Sequence, residues 1–269
     1  MLSRLSHRRS WLAAAAVVLI VVCLVPPAGV YARRYVFVES LQFAAFAAAI
    51  PALLVLGAPW RRLSSIWPLG SVLRGARRPG GPRRRGSGSG SDSGSGFLPG
   101  AAVLLAYLGV LIAWRLPASV NALATLPGLV VLEMASLVGV GSALWLELVE
   151  SPPLLPRLAR PLRAAFAAVA MWTIWILAYI LGFSHVAWFG AYTHPGLSSV
   201  ADQQIATWTL WAIPAFCFVP VVYVAAMTWL KDTEDPDEGL RALVHAEQPQ
   251  SRPGRWPRPP RGWDTHSGQ

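Results

Sequence analysis

An acid and two amides, Asp202, Gln203 and Gln204, stand side by side in Ser198 to Trp211 (SSVADQQIATWTLW), where a polar stretch gives way to an apolar, Trp-rich segment. Such side chains are costly in hydrocarbon, and the partners they need must come from other helices. Glu39, Gln42, Arg115 and Glu133 carry the same cost inside or at the ends of other apolar runs, and His185 and His194 lie in the stretch before Asp202. Together these groups could exchange a proton, hold a cation, or pair with one another as a structural network. A catalytic set is not visible: there is no HExxH, no GxSxG, no P-loop, and no Ser/His/Asp arrangement in a recognisable context. The chain is therefore read as not an enzyme.

The elements that must position these groups follow from composition. Of 269 residues, 54% are hydrophobic and 13% charged, with a mean hydropathy of +0.46. Several runs reach the ~20 apolar residues needed to cross a bilayer. These runs are continuous, not alternating as in a barrel strand. The fold class expected is all-α: a polytopic integral membrane helical bundle of six transmembrane helices in contact with the lipid bilayer. The net charge of +10 is carried mostly by Arg between or beyond the apolar runs. That placement reports orientation in a membrane, and no nucleic-acid partner is expected.

In chain order, residues 1–10 are a basic, cytoplasmic N-terminus, and Trp11 to Ala28 is the first span. This run also resembles a signal peptide, with Val30 and Ala32 before a possible cleavage point, but the later spans favour its retention as an anchor. Residues 11–71 hold the first two spans, the second being Val36 to Pro59, whose end is rich in Pro and Gly, followed by an inner interface at Trp60, Arg61 and Arg62. Residues 72–96 are an Arg/Gly/Ser-rich cytoplasmic linker. Residues 97–230 hold spans three to six: Phe97 to Leu116, Leu126 to Val149, Leu162 to Phe183 and Gln203 to Leu230, with short loops at 117–125 and 150–157 and a longer one from His185 to Ala201. Residues 231–269 are a disordered cytoplasmic tail. With six spans, both termini cytoplasmic leaves only Arg33, Arg34 and Arg115 outside, which obeys the positive-inside bias.

This topology gathers Glu39, Gln42, Arg115, Glu133, Asp202, Gln203 and Gln204 in the outer leaflet on four helices. Two readings stay open. One is a network that fixes helix order, with Arg115 pairing an acid and the Gln amides capping helix ends. The other is an outer-leaflet pocket for a ligand. Cys23 and Cys217 lie in apolar runs without a CxxC and are read as structural thiols. Gly139, Gly141, Ser142 and Ala143 form a patch suited to close helix approach.

Taken in order, Gln42-Phe43 with IPALLVLGAP (Ile50 to Pro59), WRLP (Trp114 to Pro117), LEMASLVGVGSALW (Leu132 to Trp145) and SSVADQQIATWTLW resemble the CtaG-like cytochrome c oxidase assembly family, across about residues 11–230. That resemblance implies a multi-pass assembly factor of a bacterial-type cell membrane, an oxidase subunit as partner, and copper insertion as the task. It also implies imidazoles at positions that here are Phe43, Arg115, Leu126, Val130 and Met134, while Glu133, Trp145 and the DQQ triplet remain. Copper is possible by resemblance only. Met134, His185 and His194 are the metal candidates, because a thioether or imidazole can bind it. The alternative function is a small cation transporter or permease using the outer acidic pocket.

Overall fold

A computed structural model describes residues 2–59, 97–151, 154 and 156–234; the linker (72–96), the interface at Trp60 to Arg62 and nearly all of the tail lie outside the described residues. Met1–Thr228 form one compact unit; of the second, Trp229–Gln269, the description reaches only the end of the last helix. Among the described residues there is no strand, apart from an isolated bridge between Ser151 and Leu154. The helices are α1 (Leu2–Leu24), α2 (Ala28–Tyr31), α3 (Val36–Gly57), α4 (Phe97–Arg115), α5 (Pro117–Thr125), α6 (Leu129–Leu148), α7 (Arg160–Gly182) and α8 (Ser199–Glu234).

Five of these, α3, α4, α6, α7 and α8, are long and apolar enough to cross a membrane. α1 runs over Leu2–Leu24 and so ends four residues before Ala28, the expected end of the first span. Pro26 and Pro27 follow directly, and Pro ends a helix by removing an N–H and crowding the preceding turn. Val25 to Ala28, counted as span in the sequence, lie in the turn and at the start of α2. A second difference is α5, where the sequence suggests a short loop. Pro117 sits at the first helical position, where a missing N–H costs nothing.

α3 is the centre of the bundle. Its spanning window is 72% buried, against 17–39% for the other four. The middle of α3 is not regular: Ala45–Ala49 form a π-helical turn just before Pro51. Pro51 cannot donate to the Ala47 carbonyl four residues back, and a π turn absorbs that interruption. The freed oxygen finds a donor on another helix, the Tyr107 hydroxyl of α4 at 3.2 Å. In hydrocarbon a distorted helix is tolerated only when a neighbour supplies such a partner. Gly141 of α6 permits the third contact at this node. A Cβ there would lie 2.7 Å from Pro51 Cγ and 3.0 Å from the Ala47 oxygen. Gly139, from the same small-residue patch, has open space instead.

Around this node Phe43, Phe46, Ile50, Leu111, Leu137, Leu144 and Ile174 are fully buried. α1 packs on the second half of α3, where a Cβ on Gly57 would meet the Ala13 backbone at 2.6 Å. Leu105, Ile112, Leu132, Trp172, Ile176, Trp208 and Phe216 point outward. Such large exposed apolar side chains suit a surface solvated by lipid.

Candidate functional site: a buried polar cluster at one end of the bundle

The first turns of α3, α6 and α8 and the last turns of α4 and α7 meet at one end. A helix start leaves its first N–H groups without partners, and the residue before α3, Tyr35, offers no side-chain cap. The cap comes from α8: Asp202 Oδ2 accepts the Val36 N–H at 2.8 Å and Oδ1 accepts the Phe37 N–H at 2.9 Å. A carboxylate here also complements the positive end of the α3 dipole. His194 Nδ1 lies 2.5 Å from Asp202 Oδ2, and the His194 N–H donates to the Arg34 carbonyl at 3.0 Å. The Tyr35 hydroxyl donates to the Pro195 carbonyl at 2.8 Å. The loop before α8 is thereby fastened to the start of α3.

One turn into α3, Glu39 receives both its oxygens' hydrogen bonds from a single nitrogen of Arg115, at 2.8 and 2.9 Å. The other terminal nitrogen donates to Ser40 Oγ at 3.1 Å, and the guanidinium carbon sits 4.0 Å over the Phe43 ring. The pair is buried, with side chains 1% and 3% exposed. A buried charge persists only when paired in this way, and the aromatic face adds a cation–π attraction. Gln42 Nε2 donates to the Cys23 carbonyl of α1. Its Oε1 is buried without a partner, as is Arg115 Nε.

Gln203 staples a third junction. Its Nε2 donates to the Leu181 carbonyl at 2.8 Å, near the end of α7, and its Oε1 accepts the Trp188 N–H at 3.2 Å. Gln204, by contrast, is exposed and does not join the cluster. It borders a separate surface hollow with Gly182, Phe183, Thr207, Trp208 and Trp211. Glu133 is buried beside the Glu39–Arg115 pair, and neither of its oxygens has a hydrogen-bond partner. Because no hydrogen bond is lost, Glu133→Gln is expected to leave thermal stability within about 1 kcal/mol of the parent. A drop of more than about twice that in detergent melting would mean that the acid has a partner after all.

Tyr192, in the loop before α8, is close enough to feel the whole cluster. Its hydroxyl donates to the Val120 carbonyl of α5 at 3.1 Å. Burial pushes the phenol above its ordinary range; Glu39, Glu133 and Asp202 add to the shift and Arg115 opposes it. Tyr192, Ser40 and Tyr107 were not singled out in the sequence. Ser40 is adjacent to Glu39, but nothing in the local pattern marks the two tyrosines. A cavity of about 220 Å³ adjoins the cluster, bordered by Cys23, Arg33, Glu39, Gln42 and Val130.

These features define a helical membrane protein whose polar residues meet at one end of the bundle. The family model for the cytochrome c oxidase caa3 assembly factor (Caa3_CtaG) matches residues 3–232, and the chain belongs to that family. No curated protein and no solved structure matches it.

The copper implied by the sequence resemblance does not fit the donors among the described residues. Among the described residues no three His, Cys, Asp or Glu side chains are grouped as a metal would require. Met134 is half-buried against the apolar core, His185 is exposed, and His194 Nδ1 is engaged with Asp202. The two free cysteines are separate, Cys23 buried in α1 and Cys217 half-buried in α8. Two of the positions where the resemblance implies imidazole, Phe43 and Arg115, are in contact with each other. Neither can donate an electron pair to Cu(I).

Proposed function

We propose that this chain is a six-span protein of a bacterial-type cell membrane, with both termini cytoplasmic. In this reading it assists cytochrome c oxidase assembly by helix contact with an oxidase subunit, without resident copper. Family membership supports the oxidase role. The observation that carries the mode of action is how the polar cluster is used: Arg115 holds α4 to α3, Asp202 holds α8 to α3, and Gln203 holds α8 to α7. The costly groups order the helices, leaving a rigid apolar exterior as the surface offered to a membrane partner. The sixth span is α1, extended across the bilayer by its basic flank.

Deleting the gene should lower assembled oxidase activity several-fold, and added copper should not restore it. Normal oxidase assembly in the deletion strain, or full rescue by copper alone, would count against the reading. The permease alternative is less favoured because Glu39 and Asp202 are already committed to Arg115 and to backbone N–H groups. Glu133 alone of the three acids stays free of such partners. Cation uptake into proteoliposomes that disappears in Glu133→Gln would revive that alternative.

A further inference from the structure

At the end of the bundle away from the polar cluster, α8 parts from its neighbours. From Val219 to Thr228 it has no buried residue, and Pro220 interrupts its backbone. The gap is a groove of about 650 Å³ whose walls include Ala52 and Leu56 of α3, Trp145 of α6, and Phe216 and Val224 of α8. Trp145 forms the floor, stacked on Phe218 at 5.3 Å between centroids. The walls are almost wholly apolar, but Arg160, Arg163 and Glu150 also border the groove.

The arginines sit at the start of α7, which has no side-chain cap. Uncapped N–H groups and the helix dipole favour an anion there. Arg163 donates from Nε to the Leu158 carbonyl at 2.9 Å and from one terminal nitrogen to Glu150 at 3.3 Å. The Glu150 side chain is 61% exposed, so that ion pair is weak competition. A guanidinium has five N–H donors, so Arg163 can still bind a phosphate oxygen. An apolar slot with cationic groups at one end matches an acyl chain joined to a negative headgroup.

We propose that this groove binds an anionic phospholipid, its acyl chain lying between α3, α6 and α8 and its phosphate held by Arg160 and Arg163. The inference rests on the membrane reading and not on the oxidase role. It therefore stands or falls separately from the gene-deletion result.

The test uses the full chain, purified in mild detergent, and counts retained lipid by native mass spectrometry after exposure to equal phosphatidylglycerol and phosphatidylethanolamine. The expected result is selective retention of one phosphatidylglycerol. Arg160→Gln with Arg163→Gln should weaken that retention by roughly tenfold or more. Glu150→Gln, which removes the competing carboxylate, should strengthen it. Val224→Phe with Ala225→Phe, two groove-lining positions of α8 outside the buried core, should fill the groove while keeping the arginines and abolish retention with melting temperature unchanged. Equal retention of the two lipids would overturn the proposal, as would indifference to the arginine changes. Retention that survives a filled groove would place the lipid elsewhere and overturn it too. If Arg160→Gln with Arg163→Gln unfolds the chain, the exposed Arg160→Gln change alone decides, and retention unaffected by it overturns the proposal.

Discussion

Arg115→Met is expected to destabilise the protein by about 3–5 kcal/mol, while Glu39→Met combined with Arg115→Met recovers most of that loss. The single change leaves the Glu39 carboxyl buried with only Ser40, at 3.4 Å, as a partner. It also removes the donor to Ser40 Oγ and the cation over Phe43. Removing both charged groups together leaves no orphaned ion, and two methionines can fill the space with flexible apolar chains. The comparison needs reversible unfolding of all four proteins of the cycle, the parent, both single variants and the double variant, in one detergent. A double variant as unstable as Arg115→Met would mean that the guanidinium acts through its other contacts and not through Glu39. The expected asymmetry also explains how a charge pair is tolerated in a segment of this kind. The penalty falls on half a pair, not on its presence or absence.

Asp202→Ala should cost about 2–4 kcal/mol, because hydrogen bonds to a charged acceptor are worth more than neutral ones and a lost cap adds to them. Three partners are released at once: the Val36 and Phe37 N–H groups and the His194 ring. The distinguishing readout is local. Amide exchange at Val36 and Phe37 should accelerate by orders of magnitude more than exchange in the centre of α7, where no contact changes. Asp202→Asn should fall between, since a side-chain amide oxygen can still cap one N–H. Uniform acceleration along the chain would point to global destabilisation without a specific cap, contrary to the expectation.

The spans were legible in the sequence because length and apolar content decide them. α3 and α4 begin at Val36 and Phe97, the residues named from the sequence; α6, α7 and α8 begin within two to four residues of the expected starts, and α1 begins nine residues earlier, at Leu2. α1 was over-extended because hydropathy counts Val25 and Ala28 alike, whereas the two prolines between them stop the helix. α5 was missed because a nine-residue helix leaves little periodic signal. The meeting of Glu39, Arg115, Glu133, Asp202 and Gln203 at one end follows from alternation of the spans alone. The pairings within the cluster do not follow from it. Nothing in the sequence says that Asp202 serves backbone N–H groups rather than Arg115, or that Gln204 turns outward while Gln203 turns in. Those choices depend on helix rotation, which one residue changes by about 100°. The Tyr107–Ala47 contact was equally hidden, although Pro51 announced that a carbonyl would need a donor.

The cap on α3 has a consequence for how the chain is made. Val36 and its acceptor Asp202 are 166 residues apart. Ribosomes add roughly 5–20 residues per second, so the start of α3 emerges on the order of ten seconds or more before the residue that completes its first turn. During that interval the most buried helix of the protein has an open end, and only then does the final segment close it. A nascent chain interrupted before Asp202 carries an intact apolar core helix with exposed backbone donors, a feature by which a membrane protease could tell unfinished copies from finished ones.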